Sequence, residues 1–190
     1  MTYTYFPKTK EELVEIIKSE VEKNGWECSL NHIDTRKITN MSYMFSGHPL
    51  GYGLGEFNGD ISKWNVSNVE NMDSMFSYNK SFNQPIGGWD VSKVINMHSM
   101  FYYAKSFNQP IGGWDVSKVI NMNGMFYNAK SFNQPIGDWD ISNIQDISWM
   151  FLHAKTFNQD LSKWKIHYDC NTYRMFDECP IKEEYKLKRI

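Results

Sequence analysis

No stretch of this chain approaches the ~18 consecutive apolar residues that a membrane-spanning helix needs. Charge of one sign is not in excess either: 20 basic against 22 acidic residues leave a net charge of −2, so electrostatics give no reason to expect nucleic acid as a partner. The motifs of common active sites are missing as well. There is no Gly-x-Ser-x-Gly elbow, no His-Glu-x-x-His pair and no phosphate-binding glycine loop, and no catalytic constellation assembles. Cysteine is scarce, with Cys28, Cys170 and Cys179 all outside the regular middle of the chain. Cys28 lies about five steps of ~4.8 Å from the other two, too far for a bridge. Cys170 and Cys179 are near enough to pair, but free thiols are the expectation. His153 and His167 lie close to them in sequence, yet no Cys-x-x-Cys or His-x-x-x-His spacing supports a metal site, and no cofactor is implied.

What the chain has in abundance is repetition. Residues 82–106 and 107–131 are two 25-residue stretches that differ at only three positions. The Met-Phe pair recurs at Met44-Phe45, Met75-Phe76, Met100-Phe101, Met125-Phe126, Met150-Phe151 and Met175-Phe176, in steps of 31, 25, 25, 25 and 25 residues. Six extra residues in the glycine-rich segment 46–56 account for the longer first step. A period of this length predicts a stacked array in which each unit touches only its neighbours, with one continuous core and no central cleft. The chain divides into a capping helix and lead-in at 1–29, the array at 30–179 and a tail at 180–190.

The unit running from Phe107 to Ser131 sets its apolar letters at Phe107, Ile111, Trp114, Val116, Val119, Met122, Met125, Phe126 and Ala129. Short alternating pieces, Trp114-Asp115-Val116 and Val119 to Met122, predict strands of three or four residues separated by corners. Stacking then aligns identical side chains in columns. Asn83, Asn108, Asn133 and Asn158, with Asn71, Asn96 and Asn121, are expected to bond backbone groups at the corners and in the next unit. Ser67, Ser92, Ser117 and Ser142 are placed to close turns on their own backbone, and Pro85, Pro110 and Pro135 occupy a corner where a missing N–H does no harm. Ahead of the array, Thr9 to Glu12 forms a capping box for a helix whose stripe of Leu13, Ile16, Ile17 and Val21 stops at Asn24-Gly25. The last unit loses the pattern at Asp169 and Thr172, as a terminal cap does.

The motif Val-x-x-Val-x-Asn-Met-x-x-Met-Phe, followed by Phe-Asn-Gln-x-Ile-x-x-Trp-x-Val-Ser, resembles the repeat of BspA-like leucine-rich-repeat bacterial surface proteins and related lipoproteins. Asn96-Met97, Met100-Phe101, Phe107-Asn108-Gln109 and Trp114 to Ser117 carry the likeness most clearly, and it extends over about residues 30 to 179. The resemblance implies a leucine-rich-repeat-like right-handed β-solenoid of about six units and a non-enzymatic role in adhesion or protein contact at the cell surface or after secretion. It brings no catalytic residues. Met1 to Lys10 contains no basic region before an apolar run and no lipobox cysteine, so a removed leader and an intracellular adaptor are alternatives. A carbohydrate-binding module is another alternative, and a solenoid enzyme a further one.

Positions that change between otherwise constant copies mark a surface released from packing. They flank the Met-Phe pair and bring Tyr78, His98, Tyr102, Tyr103, Tyr127, Trp149 and His153 together as a candidate ligand strip, with His48 and Tyr52 added from a 46–56 loop expected to project from the stack. A protein is the expected ligand. Lys80, Lys105, Lys130 and Lys155 form a column that reads as a basic stripe for anions or as solubilising surface charge. The second reading is preferred because Asp90, Asp115 and Asp140 form a comparable acidic column. Gly-Gly-Trp-Asp at 87–90 and 112–115 has neither the nine-residue period nor the flanking acids of calcium-binding repeats.

Overall fold

The computed structural model describes residues 2–189. Helix α1 (Lys10–Asn24) opens on Thr9, whose hydroxyl accepts from the Glu12 N–H at 3.2 Å, and ends at Gly25 with φ 84°. Leu13, Val14, Ile17 and Val21 are buried on the face that seals the start of the array. One extra rung precedes that array. The Thr4 N–H reaches the His32 carbonyl and the Asp34 N–H reaches that of Tyr5, so the N-terminal segment pairs in parallel with Ile33.

Beyond α1 the 25-residue units stack in sequence order. Parallel bridges join Asn40 to Asn71, Asn71 to Asn96, Asn96 to Asn121, Asn121 to Asp146 and Asp146 to Asn171. The chain is a repeat protein with a core continuous from Leu13 to Ile181. Phe76, Phe101, Phe126 and Phe151 form one ring column at 5.5–5.7 Å, and Phe82, Phe107, Phe132 and Phe157 a second at 6.0–6.2 Å. The columns interlock, with Phe101 lying 3.9 Å from Phe107.

The expected strands do not form. Among the described residues the only strands are β1 (Lys165–Ile166) and β2 (Lys188–Arg189), which pair in parallel. In the expected pieces the Trp114 and Val119 N–H groups turn back to Ile111 and Val116 inside the unit, and Asn121 alone bridges to its neighbours. The Met-Phe half is interrupted as well. In the unit around Met100, the N–H groups of Met97, Ser99, Phe101 and Tyr103 bond to the carbonyls of Asn121, Asn123, Met125 and Tyr127 in the next unit, at 2.8–2.9 Å. The N–H groups between them turn back inside the unit, from Met100 to Met97, Tyr102 to Ser99 and Ala104 to Phe101. A regular strand instead keeps every residue extended. Here Ser99 and Tyr103 adopt left-handed φ of 51° and 57°, and Ser74/Tyr78 and Trp149/His153 repeat the same four-residue spacing.

Polar columns complete the accounting that buried backbone demands. The Asn96 Oδ1 accepts the His98 N–H at 3.0 Å, and the Asn83 Oδ1 accepts the Asn108 N–H of the next unit at 2.9 Å. The serine column works differently from the expectation. Asp90 and Asp115 take the N–H and the hydroxyl of Ser92 and Ser117, so the carboxylate closes the turn and the serine is its donor. Each buried tryptophan also reaches back one unit, as when the Trp114 Nε1 donates to the Ile86 carbonyl at 3.2 Å.

Segment 46–56 does not project as a free loop. Leu54 is buried, Ser46 Oγ donates to the Ser77 carbonyl, and Gly55 lies so close to Gly47 that a Cβ on it would sit 2.3 Å from the Gly47 Cα. Leu50 is the exposed large apolar side chain of the segment, at 72%. Leu54 supplies the apolar contact that folds the insertion back onto the first unit. Deleting residues 48–53 is therefore expected to lower the melting temperature by several degrees in a thermal scan, where a freely projecting loop would leave it unchanged.

The glycine pairs at 87–88 and 112–113 each have one constrained member. A Cβ on Gly112 would lie 2.3 Å from the Pro135 carbonyl oxygen, whereas one on Gly113 would meet nothing within 4 Å. This explains why Gly137 is retained where Asp138 replaces its neighbour. Gly112→Ala should destabilise by ~1–3 kcal/mol, and Gly113→Ala should change stability by under ~1 kcal/mol. Urea denaturation of the two variants checks the contrast.

Candidate functional site

Because Met97, Met100, Phe101 and Ala104 point into the core, positions 98, 102 and 103 face outward while Ser99 is tucked between units, and stacking sets their counterparts beside them. Tyr78 lies over Tyr103 at 5.0 Å and 15°, and Tyr102 over Tyr127 at 4.6 Å and 24°. Cross-contacts of 5.4 Å from Tyr78 to Tyr102 and from Tyr103 to Tyr127 join the two columns. The ladder continues through His48 to Tyr43 at one end and edge-on to His153 at the other. All four central tyrosines are half-buried.

Two of the expected residues lie elsewhere. Trp149 turns away from the tyrosines and meets Tyr173 at 6.3 Å, because it follows the Ser74/Ser99/Gly124 column and not the tyrosine columns. Tyr52 packs against the core with the Lys10 ammonium 5.1 Å over its ring. His48 does join the strip, held by the folded insertion. Tyr43 was not anticipated. The 31-residue first step hides that it stands one unit before Ser74.

A shallow groove of about 230 Å³ runs beside the ladder, lined by Tyr43, His48, Ser77, Tyr78, His98 and Tyr102. In it His98 Nδ1 lies 3.0 Å from Asp73 Oδ1, and its Nε2 lies 3.3 Å from Ser99 Oγ. Burial raises the Asp73 carboxyl, but hydrogen bonds from His98 and Ser74 outweigh it and hold the group below the usual carboxylate range. The order Asp-His-Ser is that of an acyl-transfer triad, but the surroundings differ. The N–H groups of His98 to Ala104 are all committed to other acceptors, so the local backbone offers no donor to a developing oxyanion. Ser99 is itself buried.

At the far end, His153 and Lys155 both hold Glu178, at 3.0 and 2.8 Å. Lys80, Lys105 and Lys130 have no acidic partner among the described residues. No disulfide joins Cys28, Cys170 and Cys179 to one another among the described residues, and Cys170 is buried. Among the described residues no three His, Cys, Asp or Glu side chains converge on a metal position, and no helix is long and apolar enough to cross a membrane.

Repeats of this period and this set of columns match a known family over residues 18–119 and again over 86–186, described as Mycoplasma protein of unknown function, DUF285. The chain belongs to that family. The two DUF285 matches together run from the second half of α1 through the last unit. No curated protein matches the chain, and no solved structure does. The tyrosine ladder therefore rests on geometry alone within this DUF285 chain.

Two phenols of the ladder, those of Tyr102 and Tyr127, are harder to ionise than free tyrosine. Burial raises Tyr102 first, and the neighbouring phenols of Tyr78 and Tyr127 add to it; burial and Tyr103 raise Tyr127. An acid whose folded pKa is raised favours the fold while it is protonated. That stabilisation is complete below the free value of about 10 and is lost as pH climbs through the folded value. A titration of phenolate absorbance at 295 nm should show a last fraction ionising well above the others. Tyr102→Phe should remove it, and an unchanged curve would mean that the phenols do not interact.

Proposed function

We propose that this chain is a non-enzymatic protein-binding module of the BspA-like leucine-rich-repeat type, a right-handed solenoid joined by single bridges, that presents its tyrosine ladder to a partner. One observation carries the reading. Two positions whose residues change along the array, 77/102/127/152 and 78/103/128/153, build a continuous, half-exposed aromatic surface. Tyrosine supplies large rigid contact area with a polar edge at little conformational cost, which is why it recurs at recognition hot spots.

Carbohydrate recognition is less well supported. Sugars stack on open ring faces, and here the faces are turned on one another along the stack, leaving edges and hydroxyls outward. The commitment of the backbone N–H groups beside Ser99 argues against a hydrolase. A role in adhesion at the cell surface accords with the resemblance of the repeat. An intracellular adaptor would use the same ladder.

Immobilised protein and a Tyr102→Ser/Tyr103→Ser/Tyr127→Ser variant should be compared for capture from host-cell and envelope extracts, with circular dichroism to verify the fold. The variant is expected to lose the partners the parent retains. A folded variant that keeps them all would move the binding surface to another face.

A further inference from the structure

Beside the tyrosines runs a second column whose charge the molecule leaves unanswered. Lys80, Lys105 and Lys130 each follow the outer position of the ladder, Tyr78, Tyr103 and Asn128, by two residues. The residues between, Asn79, Ala104 and Ala129, are buried, so each lysine returns to the surface next to the ladder. The nearby acids are already occupied. Asp73 is bonded to His98 and Ser74, Glu178 to Lys155 and His153, and Glu56 to the Ser81 hydroxyl at 3.4 Å without pairing with Lys80. Asp90 and Asp115 stay charged at the serine turns, but neither forms an ion pair with these lysines among the described residues.

Resting on the reading of the ladder as a protein-binding surface, we infer that the partner docks an extended acidic segment along the stack, its carboxylates against Lys80, Lys105 and Lys130 and its backbone over the tyrosine edges. The dimensions agree. Successive units are 5.5 and 5.7 Å apart at the phenylalanine column, about 11 Å for the three lysines. An extended chain sets same-side residues ~6.7 Å apart, ~13 Å over three. The ~2 Å difference is within the reach of a four-carbon lysine stem. Phenols that stay protonated add neutral donors to carboxylate and carbonyl oxygens without repelling them. An acidic peptide is favoured over a sulfated polysaccharide because the ladder leaves no ring face open to a sugar.

The test uses a fluorescein-labelled nine-residue peptide of alternating glutamate and threonine, read by anisotropy at 50 and 300 mM salt, with heparin as competitor. Binding is expected at low salt, at least tenfold weaker at high salt. It should also be at least tenfold weaker for a folded Lys80→Gln/Lys105→Gln/Lys130→Gln variant and for the tyrosine-to-serine variant. Absence of binding to the parent, equal affinity in the folded lysine variant, or tighter lysine-dependent binding of heparin than of peptide would each overturn the inference. The extract capture separates the two ideas. Partners lost by the tyrosine variant and kept by the lysine variant leave the ladder as the surface and remove the acidic segment, whereas partners kept by both remove the ladder as well.

Discussion

Everything in this molecule depends on how the Met-Phe half of each unit spends its backbone hydrogen bonds. Four N–H groups per unit reach forward to the next, and those between them close turns at home. That division requires a left-handed residue every fourth position, a conformation that costs a non-glycine residue ~1–2 kcal/mol. Gly124 is the one glycine among these positions in the array; the others are Ser, Tyr, Asn, His, Trp, Arg and Glu. The strain is distributed over the stack and held by contacts that only neighbouring units supply.

The forward bonds also fix the period. With backbone joined to backbone every 25 residues, side chains at equal positions must lie over one another, and each column then finds its own solution. Phenylalanine stacks, tryptophan sends its indole N–H back a unit, and asparagine fills the corner bonds. Glycine remains where a carbonyl from the next unit leaves no room for a Cβ. Tyrosine columns on the outer surface follow the same rule, so a binding face arises from the register that builds the core.

Much of this was legible in the sequence. The ruler of Met-Phe pairs, the capping box at Thr9 and the core letters correspond to the stack, to α1 and to buried residues. Variation between copies pointed to Tyr78, Tyr102, Tyr103, Tyr127 and His153, which do meet. What stayed hidden has physical causes. Alternating Trp-Asp-Val reads as strand because hydrophobic pattern reports which side chains turn inward, not whether an N–H bonds across units or turns back within one, as that of Trp114 does to Ile111. Aspartate and serine two apart give no hint of which closes the turn. The glycines of 46–56 suggested freedom, while Leu54 supplied the contact that folds the segment down. Trp149 was grouped by its chemistry with the tyrosines when its column belonged to serine and glycine.

The forward-pointing N–H groups have an electrical consequence. Each carries a small dipole, and four per unit aligned along the axis add up as they do in a helix, leaving the last unit as the positive pole of the array. Asp177 and Glu178 stand at that pole, beside the turn through Arg174, in the place that acidic residues take at the start of a helix. The stack therefore has a head and a tail that differ electrostatically as well as in shape, and a segment lying along it meets a field with a direction.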